Sequence, residues 1–126
     1  MQFQSRHFGS IAVAAPAGRL DHSVAGTFEQ ELLPLAADPK NAALVVDFTN
    51  VDYISSVGLR VLMLAAKAAR PRKARIAAVA LQPIVAEVFA ISRFDSVFEI
   101  FPALRDALAA ISPDALAAYD ASVNGT

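Results

Sequence analysis

The sequence predicts a single α/β domain, a sandwich in which helices cover a mixed, mostly parallel central sheet of about five strands, with four to five helices in all. Three observations lead there. Phe3, Ser5, Ile11 and Val13 show period-2 alternation on either side of Gly9-Ser10, as in a β-hairpin. Ala42 to Phe48 is an almost continuous apolar run, the pattern of a strand covered on both faces. Beyond it, apolar runs of strand length alternate with segments of helical periodicity.

The elements follow in order. The first strand precedes Gly9-Ser10 and the second follows it, closed by Gly18-Arg19-Leu20-Asp21. A helix is expected from about His22 to Ala37, because Val24, Phe28, Leu32 and Leu35 fall at helical spacings. Asp21 or Ser23 is its expected cap, and Pro34 is expected to kink it or end it early. Asp38-Pro39-Lys40-Asn41 forms a loop before the buried strand, and Thr49 to Ile54 leads out of that strand. Ser55-Ser56-Val57-Gly58 opens a second helix that runs to about Ala69, where Pro71 disfavours helix in the residue before it. Arg75 to Leu81 is the next buried strand. Pro83 suits the first turn of a third helix reaching Ile91. Val97 to Phe101 is a strand and Pro102 to Ile111 a fourth helix. Ser112-Pro113-Asp114 caps a last short helix through Tyr119, after which the tail is expected to fray.

Composition narrows the function. The chain has 126 residues, 56% hydrophobic and 18% charged, which suits one globular domain with a real core. A net charge of −1 provides no global field toward nucleic acid or an acidic membrane. There is no cysteine, hence no disulfide framework or thiolate metal site. Apolar stretches such as Val61 to Ala69 are shorter than the roughly 20 residues of a membrane span. Met1 to Ser10 lacks the apolar core of a signal peptide, so a cytoplasmic location without membrane insertion is expected. His7 and His22 have no carboxylate at metal-ligand spacing. No Gly-x-Ser-x-Gly elbow and no phosphate-binding glycine loop occurs. The expectation is a protein that is not an enzyme and needs no cofactor or metal. Arg70, Arg72, Lys73 and Arg75 form a basic cluster, read as a solvated loop with docking to an acidic partner as the second reading.

The segment Val46 to Arg60 carries the most information. It places two serines where a buried strand gives way to a helix. Serine there is a good cap, since its hydroxyl accepts a hydrogen bond from an unpaired backbone N–H. The same position also tolerates a phosphate, because free N–H groups and the helix dipole favour negative charge. Ser56, Arg60, Met63 and Lys67 share one helical face, while Leu59, Leu62, Ala66 and Ala69 lie on another that should meet the sheet. Met63 is expected to be exposed among polar neighbours, as an adaptable contact residue.

The run Asp47-Phe48-Thr49-Asn50-Val51-Asp52-Tyr53-Ile54-Ser55-Ser56-Val57-Gly58-Leu59 resembles the signature of STAS domains, the family of bacterial anti-sigma factor antagonists. Gly18-Arg19-Leu20-Asp21-His22 resembles the family's Gly-x-Leu-Asp segment. Val88 to Ile91 and Val97 to Phe101 resemble its third helix and last strand. The resemblance covers roughly residues 3 to 111, so residues 1–112 are read as a STAS-like domain and 113–126 as a C-terminal extension. It implies a non-catalytic switch: a partner serine kinase phosphorylates Ser56 (alternatively Ser55), and the unphosphorylated form binds an anti-sigma factor, often the kinase itself. A phosphatase resets it, and a homodimer is left open. The implied partner-binding set is Asp21, Ser55, Ser56, Val57, Gly58, Arg60, Met63 and Lys67. Three positions depart from the family pattern. Ser55 stands where the family has Asp, Val57 follows the acceptor, and Arg93 replaces a helix-ending glycine. The Ser55 departure favours an alternative, a constitutive STAS subunit of a bacterial lipid-transport ABC complex.

Overall fold

A computed structural model describes residues 1–124. Strands β1 (Gln2–Phe8) and β2 (Ile11–Leu20) form an antiparallel hairpin. Helix α1 (Ala25–Ala37), strands β3 (Ala43–Asp47) and β4 (Val51–Ile54), and helix α2 (Ser56–Ala69) follow. Then come β5 (Arg75–Val79), α3 (Pro83–Ile91), β6 (Glu99–Phe101), α4 (Leu104–Ile111) and α5 (Pro113–Asn124). The sheet runs β1-β2-β3-β5-β6, with every pair parallel except the hairpin.

The central strands are apolar throughout because both faces are covered. Ala12, Ala14, Leu44, Val46, Ile76 and Ala78 point into the larger core, under α1, α2 and α3. Their alternates Ile11, Val13, Ala43, Val45, Ala77 and Val79 point into a second core with α4 and α5. In the larger core Phe89 meets the rings of Phe48, Phe94 and Phe98.

One strand was not anticipated. The segment expected to lead out of β3 forms β4, which pairs in parallel with the far half of β2. Strand β2 is long enough to serve two neighbours in turn: Ile11–Ala14 against β3, then Gly18–Leu20 against β4. Asp47 ends β3 by accepting hydrogen bonds from the amide and hydroxyl of Thr49, and the chain rejoins β2 after that turn.

Several expected boundaries move. Helix α1 starts at Ala25, not His22, because Asp21 accepts from the amide and hydroxyl of Ser23 and so closes a local turn. Neither Asp21 nor Ser23 caps α1; its N-cap is Val24, with no side-chain bond. Pro34 does not end α1, which continues to Ala37. The exposed pyrrolidine removes one N–H, while the buried Phe28, Leu32 and Ala36 hold the helix to the core. A 3₁₀ turn over Phe94–Ser96 ends on Val97 in the helical region, so Val97 and Phe98 are not extended and β6 begins only at Glu99. Helix α4 begins at Leu104, not Pro102.

The last helix runs past Tyr119 to Asn124, anchored where Tyr119 packs edge-on against Phe8 and Asp120 receives both guanidinium contacts of Arg105 at 3.1 Å. The fraying expected after Tyr119 does not begin there, since Asp120 to Asn124 are helical; the rest of that expectation falls on Gly125 and Thr126, which lie outside the described residues.

Arg93 follows α3 with φ +59° and ψ +31°, the left-handed region in which a non-glycine residue is strained. Arg93→Gly should therefore raise stability by about 0.5–1 kcal/mol, since glycine enters that region without a Cβ penalty. Thermal denaturation checks this; a lower melting temperature would contradict it.

Candidate functional site at the start of helix α2

The parallel strands bring their C-terminal ends to one pole of the sheet, and β4 delivers the chain there directly into α2. The two serines at this junction have different roles. Ser55 is the N-cap, extended at φ −93° and ψ 174°. Its hydroxyl accepts a 3.4 Å bond from the Gly58 amide and donates to the Leu20 carbonyl at 3.3 Å, and its own amide reaches that carbonyl at 3.0 Å. Ser55 is half-buried and its hydroxyl is committed in both directions. Ser56 is the first helical residue and is exposed. Its amide and that of Val57 belong to the first turn, which has no intrahelical acceptors. No acidic side chain occupies that turn.

Gly58 explains how β2 and α2 come so close. A Cβ built there would stand 2.5 Å from the Leu20 carbonyl oxygen and 2.8 Å from Ile54 Cγ1. Glycine is required here by space rather than by backbone angle. Asp21 follows directly on Leu20, just past the end of β2. Its carboxyl is held below the ordinary value chiefly by the Ser23 hydroxyl, then by the Ser23 amide.

The remaining candidates divide. Arg60 and Lys67 are exposed on α2, and Val57 is 37% exposed at its tip. Met63 is not exposed as expected; it is half-buried and packs against the larger core. Helix α1 lies alongside α2 and narrows its open face, with Arg60 Nη1 3.5 Å from Glu29 Oε1 across the seam. Of the predicted sheet-facing set, Leu62, Ala66 and Ala69 are buried and Leu59 half-buried, joined by Val61 and Ala65.

Sequence reasoning passed over Arg19. Its guanidinium carbon lies 4.2 Å from the centre of the Tyr53 ring, and its Nε 3.5 Å from Asp21 Oδ2. Arg19 and Tyr53 are register partners on β2 and β4, so recognising β4 as a strand would have paired them.

The basic cluster lies beyond the other end of α2 and is not uniformly solvated. Arg72 donates to the carbonyls of Ala36 and Asn41, closing the end of α1. Arg75 forms a two-point pair with Glu99. Arg70 and Lys73 line a shallow cavity of about 280 Å³ with Ala66, Ile76 and Val97. Among the described residues no group of three or more His, Asp or Glu side chains is placed to hold a metal, and no helix is long and apolar enough to cross a membrane.

The STAS domain profile matches residues 2–107. The chain belongs to the STAS domain family. This STAS chain is 38% identical over 106 residues to BtrV of Bordetella bronchiseptica, described as a candidate anti-sigma factor antagonist, covering 84% of this chain and 90% of BtrV. An anti-sigma factor antagonist from Mycobacterium paratuberculosis superposes with a TM-score of 0.80 at 26% identity, covering 87% and 92% of the two chains. The Bacillus cell fate determinant SpoIIAA, in its phosphorylated form, shares the STAS fold at a TM-score of 0.69 and 14% identity, covering 88% and 100%. The profile ends within α4, so α5 lies outside the matched STAS region.

Proposed function

We propose that this STAS domain is an anti-sigma factor antagonist, a binding switch set by phosphorylation of Ser56. In the unmodified state the α2 face around Ser56, Val57 and Arg60, with Asp21 beside it, docks on an anti-sigma factor that is also a serine kinase. Phosphorylation breaks that contact and a phosphatase restores it. The observation that carries the proposal is the division of labour between the serines: Ser55 holds the helix cap with a committed hydroxyl, and Ser56 presents a free one at the helix N-terminus. A phosphate there adds about −1.5 to −2 charges, which the N-terminal dipole stabilises and a docked partner surface does not. The likeness to BtrV favours this over a constitutive transporter subunit.

Incubation with the cognate serine kinase and ATP, read by intact mass, provides the test. The parent and Ser55→Ala should each gain one phosphoryl group and Ser56→Ala none, although Ser55→Ala loses about 1 kcal/mol of stability with its cap. Undiminished modification of Ser56→Ala would remove Ser56 from the role. Stoichiometric co-purification with a transporter ATPase alone would overturn the antagonist assignment.

A further inference from the structure

We propose that Arg19 and Arg60 form a guanidinium pair that takes up the phosphate on Ser56, each releasing the carboxylate that holds it in the unmodified protein. The inference rests on Ser56 as the phosphate-bearing residue and adds how the domain itself responds to the modification. Arg60 lies one helical turn beyond Ser56 on the same face, the i to i+4 spacing at which side chains meet. Arg19 stands opposite Tyr53, three residues before Ser56, on the strand end whose Leu20 carbonyl binds the helix cap. The Tyr53 ring supports its guanidinium at this edge of the site.

The ion pairs of the molecule point the same way. Arg75–Glu99 and Arg105–Asp120, both remote from Ser56, are two-point forks. Arg19–Asp21 and Arg60–Glu29 are single contacts at 3.5 Å, longer than the 2.7–2.9 Å typical of charge-assisted hydrogen bonds. Their guanidinium side chains are 61% and 66% exposed, so such pairs hold weakly. A phosphate offers a larger charge and three acceptor oxygens matched to a guanidinium fork. Both arginines therefore exchange toward it. Asp21 and Glu29 oppose the phosphate; His22, exposed next to Asp21, and Asp52 and Tyr53 on β4 are the other titratable groups on the adjoining segments. Modification then changes the docking face twice: it adds negative charge and withdraws two cations that the unmodified face offers to a partner's carboxylates.

The test uses the full chain synthesised with phosphoserine at position 56, so no kinase is needed, and follows the ³¹P resonance against pH. Arg19→Gln and Arg60→Gln should each raise the phosphoserine pKa by about 0.3–0.5, a two- to threefold change in proton affinity, and the double variant should raise it further. Arg19→Lys should recover part of the Arg19→Gln effect. Arg105→Gln, which breaks an ion pair on other elements, should leave the curve in place. Superimposable titrations of the parent, both single variants and the double variant would overturn the proposal, as would an equal shift in Arg105→Gln. Failure of the kinase to act on Ser56 would sink the proposed switch without altering these curves.

Discussion

Replacing Gly58 with alanine lowers stability by about 2–3 kcal/mol, in the range of overpacked cores. The added methyl must occupy a space 2.5 Å from the Leu20 carbonyl oxygen, and that oxygen already accepts bonds from the Ser55 amide and hydroxyl. Neither side can retreat without losing the cap or the β2–β4 ladder. For a domain of this size the melting temperature should fall by roughly 8–15 °C. Partner binding should weaken as well, because the first turn of α2 must move off β2. Gly26→Ala is the matched control: Gly26 is helical and exposed, and a Cβ there meets nothing within 4 Å. It should be neutral or gain up to about 1 kcal/mol. Equal losses for the two variants in urea denaturation would show that close approach is not the reason for Gly58.

Ser56→Glu and Ser55→Glu, neighbours in sequence, should act in opposite ways. A carboxylate at position 56 enters a first turn without acidic residues and favours the helix dipole by about 0.3–1 kcal/mol, so the fold is kept. Binding to the anti-sigma factor should nevertheless fall by roughly 30–150-fold, the effect of about 2–3 kcal/mol from a charge forced against a partner surface. Ser55→Glu removes the serine that grips both Gly58 and Leu20, and should cost about 1 kcal/mol of stability. Calorimetric titration for binding and thermal denaturation for stability separate the two. Parental affinity in Ser56→Glu would contradict a docking face centred on that residue.

The pH response of the surface is small and has a definite sign. Arg75, by hydrogen bonding, holds the Glu99 carboxyl below its ordinary value. Its contribution is thus present above the unfolded-state pKa and is lost as pH falls through the lower folded-state value. The Glu99 and Arg75 side chains are 41% and 44% exposed, so solvent screening keeps the loss minor.

Much of this was legible in the chain. The buried strands announced themselves because covering both faces leaves no polar alternates, as in Ala42 to Phe48. The place of α2 followed from two serines after such a strand. What escaped depended on partners distant in sequence. Val51-Asp52-Tyr53-Ile54 is short and leaves only brief alternation, and it becomes a strand because β2 extends past β3 and offers it a free edge. Met63 shares a helical face with Arg60 and Lys67, but α1 lies against that side of α2 and the larger core takes it in. Asp21 has the composition of a cap, yet Ser23, two residues away, satisfies it first.

The feature that most concerns function divides along the same line. The residues themselves determined that a helix begins at the two serines, since hydroxyl capping and periodicity are local and need only near neighbours. Which serine is free was decided by the tertiary structure. The Leu20 carbonyl, 35 residues away along the chain, engages Ser55 and leaves Ser56 facing solvent. A hydrogen bond across that separation exists only once β2 and β4 have paired.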